Sequence, residues 1–117
     1  MVNYEEELDA IFAALAHPAR RSMLARLGNG EATVGELAQP LDMSLPAVTK
    51  HLKVLEKAKL ISRSKNAQWR PCRLEEAPLN AASGWIEEQR KVWESRLNRL
   101  DAYLHTLHPT STKGDRT

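Results

Sequence analysis

The residues that could do chemistry are concentrated between Met43 and Leu74. Lys50, Lys53, Lys57, Lys59, Arg63, Lys65, Arg70 and Arg73 stand there against one acid, Glu56. That is a net +7, whereas the rest of the 117-residue chain, with nine basic and fourteen acidic residues, is −5. A solvated surface mixes its signs, so segregation on this scale points to a polyanion on one face. Small side chains refine the reading. Pro46, Ala47 and Thr49 lie beside Lys50 and Lys53, and small residues let a helix approach base edges closely. Thr49 can donate or accept a hydrogen bond, and Ala47 or the Thr49 methyl can meet a thymine methyl. Ser44 and the free N–H groups of a helix start can hold a phosphate. His51 reads as a packing or phosphate-facing residue rather than a metal ligand. Arg63, Lys65 and Arg70, with the amides of Asn66 and Gln68, form a second set of donors, suited to the backbone or the minor groove of double-stranded DNA.

Other chemistries lack their residues. There is no Gly-rich phosphate loop, no metal-ligand cluster, and no Ser/His/Asp arrangement in a supporting context. No catalytic residue and no cofactor are expected. Cys72, the single cysteine, rules out an internal disulfide. Its neighbouring arginines could lower its pKa; the alternative is an inert small hydrophobe. No apolar run is long enough to cross a membrane, and "MVNYEEELDA" lacks the basic and apolar regions of a signal peptide. These features point to the cytoplasm.

The elements that must position these residues follow from caps and periodicity. Asn3 with Glu6 reads as a capping box opening a first helix at about 4–16, with Leu8, Ile11, Phe12 and Leu15 at helical spacing. Pro18 suits the first turn of a second helix, with His17 in a helix-start role, and "GNG" at Gly28–Gly30 stops it. Thr33 with Glu36 opens a short third helix, and Pro40 ends it or follows closely. Ser44 caps a fourth, with Pro46 in its first turn. There Leu45, Val48, Leu52 and Leu55 fall on one stripe, with the lysines roughly opposite. "LISRSKNAQWRPCRL" reads as a hairpin with Asn66 at the turn, Trp69 anchoring it to the domain, and Pro71 marking an edge strand. A last helix runs from about 78 to 107, with Gly84 able to bend or split it. Its Ile86, Trp93, Leu97, Leu100, Leu104 and Leu107 form a heptad-like seam that Arg90 interrupts and that Trp85, Val92 and Tyr103 widen. One domain cannot cover that face alone, which predicts a homodimer.

Four helices, a hairpin and a long C-terminal helix make a mainly α, winged helix-turn-helix chain. It forms one domain at 1–108, with the helix-turn-helix at about 33–58, the wing at about 60–74 and a disordered tail at 109–117. "LAHPARRSMLARL", "TVGELAQPLDMSLPAVTKHLKVLEKAKLI" and "WRPCRL" together resemble the ArsR/SmtB family of bacterial transcriptional repressors. The resemblance implies a homodimer whose first and last helices form the interface, bringing in Leu8, Ile11, Phe12 and Leu15. It also implies a fourth helix in the major groove, with Thr33 on the same DNA-facing surface.

Relatives that sense metals place two cysteines in the third helix, where "EATVGEL" has Thr33 and Gly35. Others use the last helix, where Asp101, His105 and His108 do not match the family spacing. The closer likeness is to the branch without metal sites, and no metal is expected. The leading expectation is a repressor binding a pseudo-palindromic operator, its recognition helices about one DNA turn, near 34 Å, apart. The alternatives are a derepressor answering to a ligand, metal or thiol signal, its small-molecule inducer unknown, and a winged-helix dimerisation module without DNA binding. The basic segment counts against the last.

Overall fold

Each of the first four helices starts on a residue whose side chain satisfies one of the helix's free N–H groups. In the computed structural model, residues 3–65 and 70–107 are described. The expectations for Asn66, Gln68, Trp69, His108 and the 109–117 tail lie outside them. α1 spans Tyr4–Leu15, and Asn3 Oδ1 accepts from the Glu6 amide at 2.8 Å. α2 spans Pro18–Leu27, with His17 Nδ1 accepting from the Ala19 amide at 3.1 Å. α3, Val34–Ala38, opens with a complete capping box between Thr33 and Glu36. α4, Leu45–Lys57, starts on Ser44 Oγ, which accepts from the Ala47 amide at 3.3 Å.

Helix ends are set as locally. After α2, Gly30 takes φ +135°, which an L side chain rarely adopts. α4 ends in a Schellman turn. The Lys59 amide donates to Glu56 O at 2.9 Å, the Leu60 amide donates to Leu55 O at 3.0 Å, and Lys59 has φ 64°. A lysine here occupies the left-handed position that glycine usually fills.

Val48, Leu52 and Leu55 of α4 are wholly buried, together with Leu60, Met23 and Leu37. Each such side chain contributes roughly 1.5–3 kcal/mol. Leu45, expected on the same stripe, is 55% exposed instead. It stands at the stripe's margin and at the first helical position, where no neighbouring element covers it.

β1, Ile61–Arg63, pairs antiparallel with β2, Cys72–Leu74, in the register Ile61↔Leu74, Ser62↔Arg73 and Arg63↔Cys72. On its other side Cys72 exchanges two hydrogen bonds with Ala32, at 2.7 and 3.2 Å. The sheet has only these two strands, so β2 is an edge strand as expected, and its outer side carries one isolated bridge, Cys72 with Ala32. Pro71 lies just before β2, where its missing N–H costs no ladder bond.

α5 runs from Glu76 to Leu107 without interruption, so Gly84 neither splits nor ends it. One missing side chain costs a helix only about 1 kcal/mol, too little to break 32 residues. Two compact units divide the chain. The first, to Ala82, holds the winged domain and the start of α5; the second, from Ser83, holds the rest of that helix. Among the described residues no helix is long and apolar enough to cross a membrane.

Candidate nucleic-acid interface

α4 carries the arrangement that the charge pattern pointed to. With Val48, Leu52 and Leu55 turned into the core, its opposite side is left to Pro46, Lys50, Lys53 and Lys57, all exposed. Ala47, Thr49 and His51 are half-buried at the flanks. Ser44, Leu45, Pro46, Ala47, Thr49, Lys50 and Lys53 together line one shallow surface depression. Among the described residues no ion pair engages these lysines. Their charge is therefore available to an outside anion. Ser44 uses its oxygen to accept the Ala47 N–H, which leaves its own O–H proton able to donate elsewhere. Thr33 differs. Its amide donates to Glu36 Oε1 at 2.8 Å and its hydroxyl lies 3.3 Å from the same oxygen, so no donor is left over for DNA.

His51 is tied inward rather than outward. Arg20 can only donate, so its Nη1, 3.0 Å from His51 Nδ1, fixes that nitrogen as the acceptor and puts the ring proton on Nε2. The same guanidinium donates to Ala14 O at 2.7 Å and to Ala13 O at 3.0 Å, fastening the end of α1 to α4. The His17 ring lies 4.3 Å from that of His51. Burial first, then the charges of His17 and Arg20, hold the His51 pKa below its ordinary 6.5. This cluster joins three helices beneath the presented face, and sequence reading assigned its members separately. The signal that could have found it is the pairing of "HPAR" at the start of α2 with a histidine on the inner flank of α4.

In the wing, Lys65 and Arg70 are exposed, and Arg70 takes φ 39°. Arg63 is half-buried, and its Nε is shielded from solvent with no hydrogen-bond partner among the described residues. Arg73 pairs across the surface with Glu31 at 3.4 Å. Ser62 Oγ donates to Glu75 Oε2 at 2.5 Å, tying β1 to the chain leading into α5. Cys72 is fully buried, and burial pushes its thiol pKa up although Arg63 and Arg70 pull it down. Less thiolate means less reactivity, which favours the inert-hydrophobe reading.

The proposed dimer residues divide in two. Leu8 and Ile11 are buried inside their own subunit, and Phe12 and Leu15 pack partly against its core. Of the four α1 side chains expected at a dimer interface, Leu8 and Ile11 are thus spent on their own subunit, while Phe12 and Leu15 remain half-buried. The α5 seam is different. Trp85, Ile86, Trp93, Leu97, Leu100 and Leu104 are all exposed, as are Val92, Tyr103 and Leu107. Arg90, which interrupts the seam, bonds Glu87 and Glu94 of its own helix at 3.2 and 3.0 Å. His105 Nδ1 lies 2.9 Å from Asp101 O. The described residues hold no group of three or more metal-ligating side chains.

A family model described as a helix-turn-helix domain matches residues 15–63. An HTH-type transcriptional regulator of Mycobacterium tuberculosis is 49% identical over 53 residues, which are 45% of this chain and 50% of that protein; the match thus spans half that relative's length. The transcriptional repressor SdpR of Bacillus subtilis is 29% identical over 79 residues, 68% of this chain and 88% of its own. Among solved structures, the crystal structure of an ArsR family transcriptional regulator matches with a TM-score of 0.74 and 46% identity, covering 81% of this chain and 98% of the other. With nearly the whole of that regulator matched and a winged helix-turn-helix in place, the chain belongs to the ArsR family of transcriptional regulators.

Proposed function

We propose that the chain is a cytoplasmic, homodimeric repressor that acts by occupancy. Two copies of α4 enter successive major grooves of a pseudo-palindromic operator and exclude the transcription machinery from a promoter. The role is binding, not catalysis. The observation that carries the reading is the division of α4 into a wholly buried stripe and an exposed side of lysines that no ion pair engages among the described residues, beside small residues. Lys50, Lys53 and the Ser44 hydroxyl meet phosphates, while Ala47 and Thr49 reach base edges. Arg63, Lys65 and Arg70 in the wing contact the backbone or minor groove beside them. The exposed α5 seams pair to bring the two reading heads together, since one subunit's footprint is too small for useful specificity.

The test is selection of bound duplexes from a random pool, followed by mobility shifts on the selected sequences across a salt series. Retention of a two-fold-related motif, weakening steeply with salt, is expected. Failure to hold any duplex at low salt would refute the proposal. Lys50→Ala with Thr49→Ala should abolish preference for the selected motif and leave the dimer intact. Arg70→Ala should weaken all duplexes alike and make the salt slope shallower.

A further inference from the structure

We infer that Leu45 is a specificity-determining residue that selects a thymine methyl in each half of the operator. The inference rests on the DNA-binding reading above and extends it. Leu45 is the first residue of α4, directly after the Ser44 cap, and is 55% exposed, whereas the three aliphatics that follow it on the stripe are fully buried. It therefore does not serve the core. It shares its surface depression with Thr49 and Lys53, which follow it at four-residue intervals and so form one row along the helix. Leu45 and the Thr49 methyl give that row an apolar beginning, and Lys53 gives it a cationic end.

Helix-turn-helix proteins bring the first residues of the recognition helix to the base edges. A leucine there can neither donate nor accept, so it cannot read the hydrogen-bond pattern of the major groove. The groove's one apolar feature is the C5-methyl group of thymine. Burying the Leu45 side chain against that methyl takes both out of water. Against cytosine or a purine, the same side chain would cover polar edges and leave them unsatisfied. Leu45 should thus contribute both affinity for thymine and rejection of other bases at one position per half-site.

The test uses duplexes selected from a random pool with the wild-type chain. Each thymine of the motif is replaced in turn by uracil, which removes only the methyl group. One thymine per half-site should weaken wild-type binding about fourfold when replaced, the equivalent of one methyl-sized apolar burial. In Leu45→Ala, thymine and uracil duplexes should bind alike at that position, while other positions keep their preferences. Leu45 is exposed, so this variant retains its core. If no thymine shows a methyl effect, or the effect survives in Leu45→Ala, the inference is overturned. An effect that disappears in Thr49→Ala and survives in Leu45→Ala would also overturn it and assign the contact to Thr49. Absence of any selected duplex would instead sink the DNA-binding reading.

Discussion

His51 and His17 each use a lone pair at Nδ1 as a structural part: one accepts from Arg20, the other caps α2. A protonated imidazole has no such lone pair. Because burial holds the folded-state pKa of His51 below 6.5, the unfolded chain takes up a proton there before the folded chain does. Stability therefore rises with pH across that interval. The contribution of the Arg20–His51 bond is complete above pH 6.5 and is lost as the pH falls below it towards the folded-state value. Denaturant unfolding at pH 7.5 and 5.5 should show lower stability at the acid end. His51→Asn, which keeps an acceptor for Arg20 and cannot titrate, should flatten the difference; an undiminished difference would put the pH dependence elsewhere. A second residue-scale prediction concerns Lys59, held at φ 64° in the Schellman turn. Lys59→Gly should stabilise the fold by about 0.5–1 kcal/mol, since a β-carbon is disfavoured in the left-handed region. A thermal melt that shifts downwards would contradict this.

The elements show where local sequence speaks and where it does not. Capping is local, and so Thr33, Ser44 and Asn3 were readable from type and spacing and take those roles. Removing one should cost what a cap is worth: Thr33→Ala should lower stability by about 1 kcal/mol. Its donors are already taken by Glu36, so operator affinity at fixed folded fraction should hardly change. Periodicity says that a residue is apolar on a given stripe, and it cannot say what lies opposite. Leu45 and Leu52 lie close together on a helical projection, yet one is 55% exposed and the other wholly buried. The same gap explains α1. Its Leu8 and Ile11 show the period of an interface and of a core equally well, and only the folded subunit shows that these two side chains are buried within it. The His17–Arg20–His51 cluster needs the three-dimensional meeting of α1, α2 and α4, which no spacing encodes.

At the scale of the whole molecule, charge and apolar surface divide the work. The segment from Met43 to Leu74 holds the positive excess, and α5 holds the exposed apolar seam. A seam containing Trp93, Leu97, Leu100 and Leu104, all exposed in a single copy, is a cost in water that the proposed pairing with a second copy would remove. The proposed dimer would couple the two properties, because joining the seams would double the cationic surface offered to one duplex. The coupling can be measured. If the dimer displaces about eight phosphate counterions, the logarithm of its affinity should fall with the logarithm of salt at a slope of about −7; a single subunit with half the contacts should give about half that slope. Leu97→Glu with Leu100→Glu places charge in the middle of the seam and leaves the sequence of the winged unit unchanged. The variant should sediment as a monomer, keep the helical signal of the folded chain, bind its selected duplex at least tenfold more weakly and show the halved slope. A variant that remains dimeric would move the interface off α5. A monomer that retained full affinity and the full slope would show that one subunit makes all the contacts, and the requirement for two half-sites would fall with it.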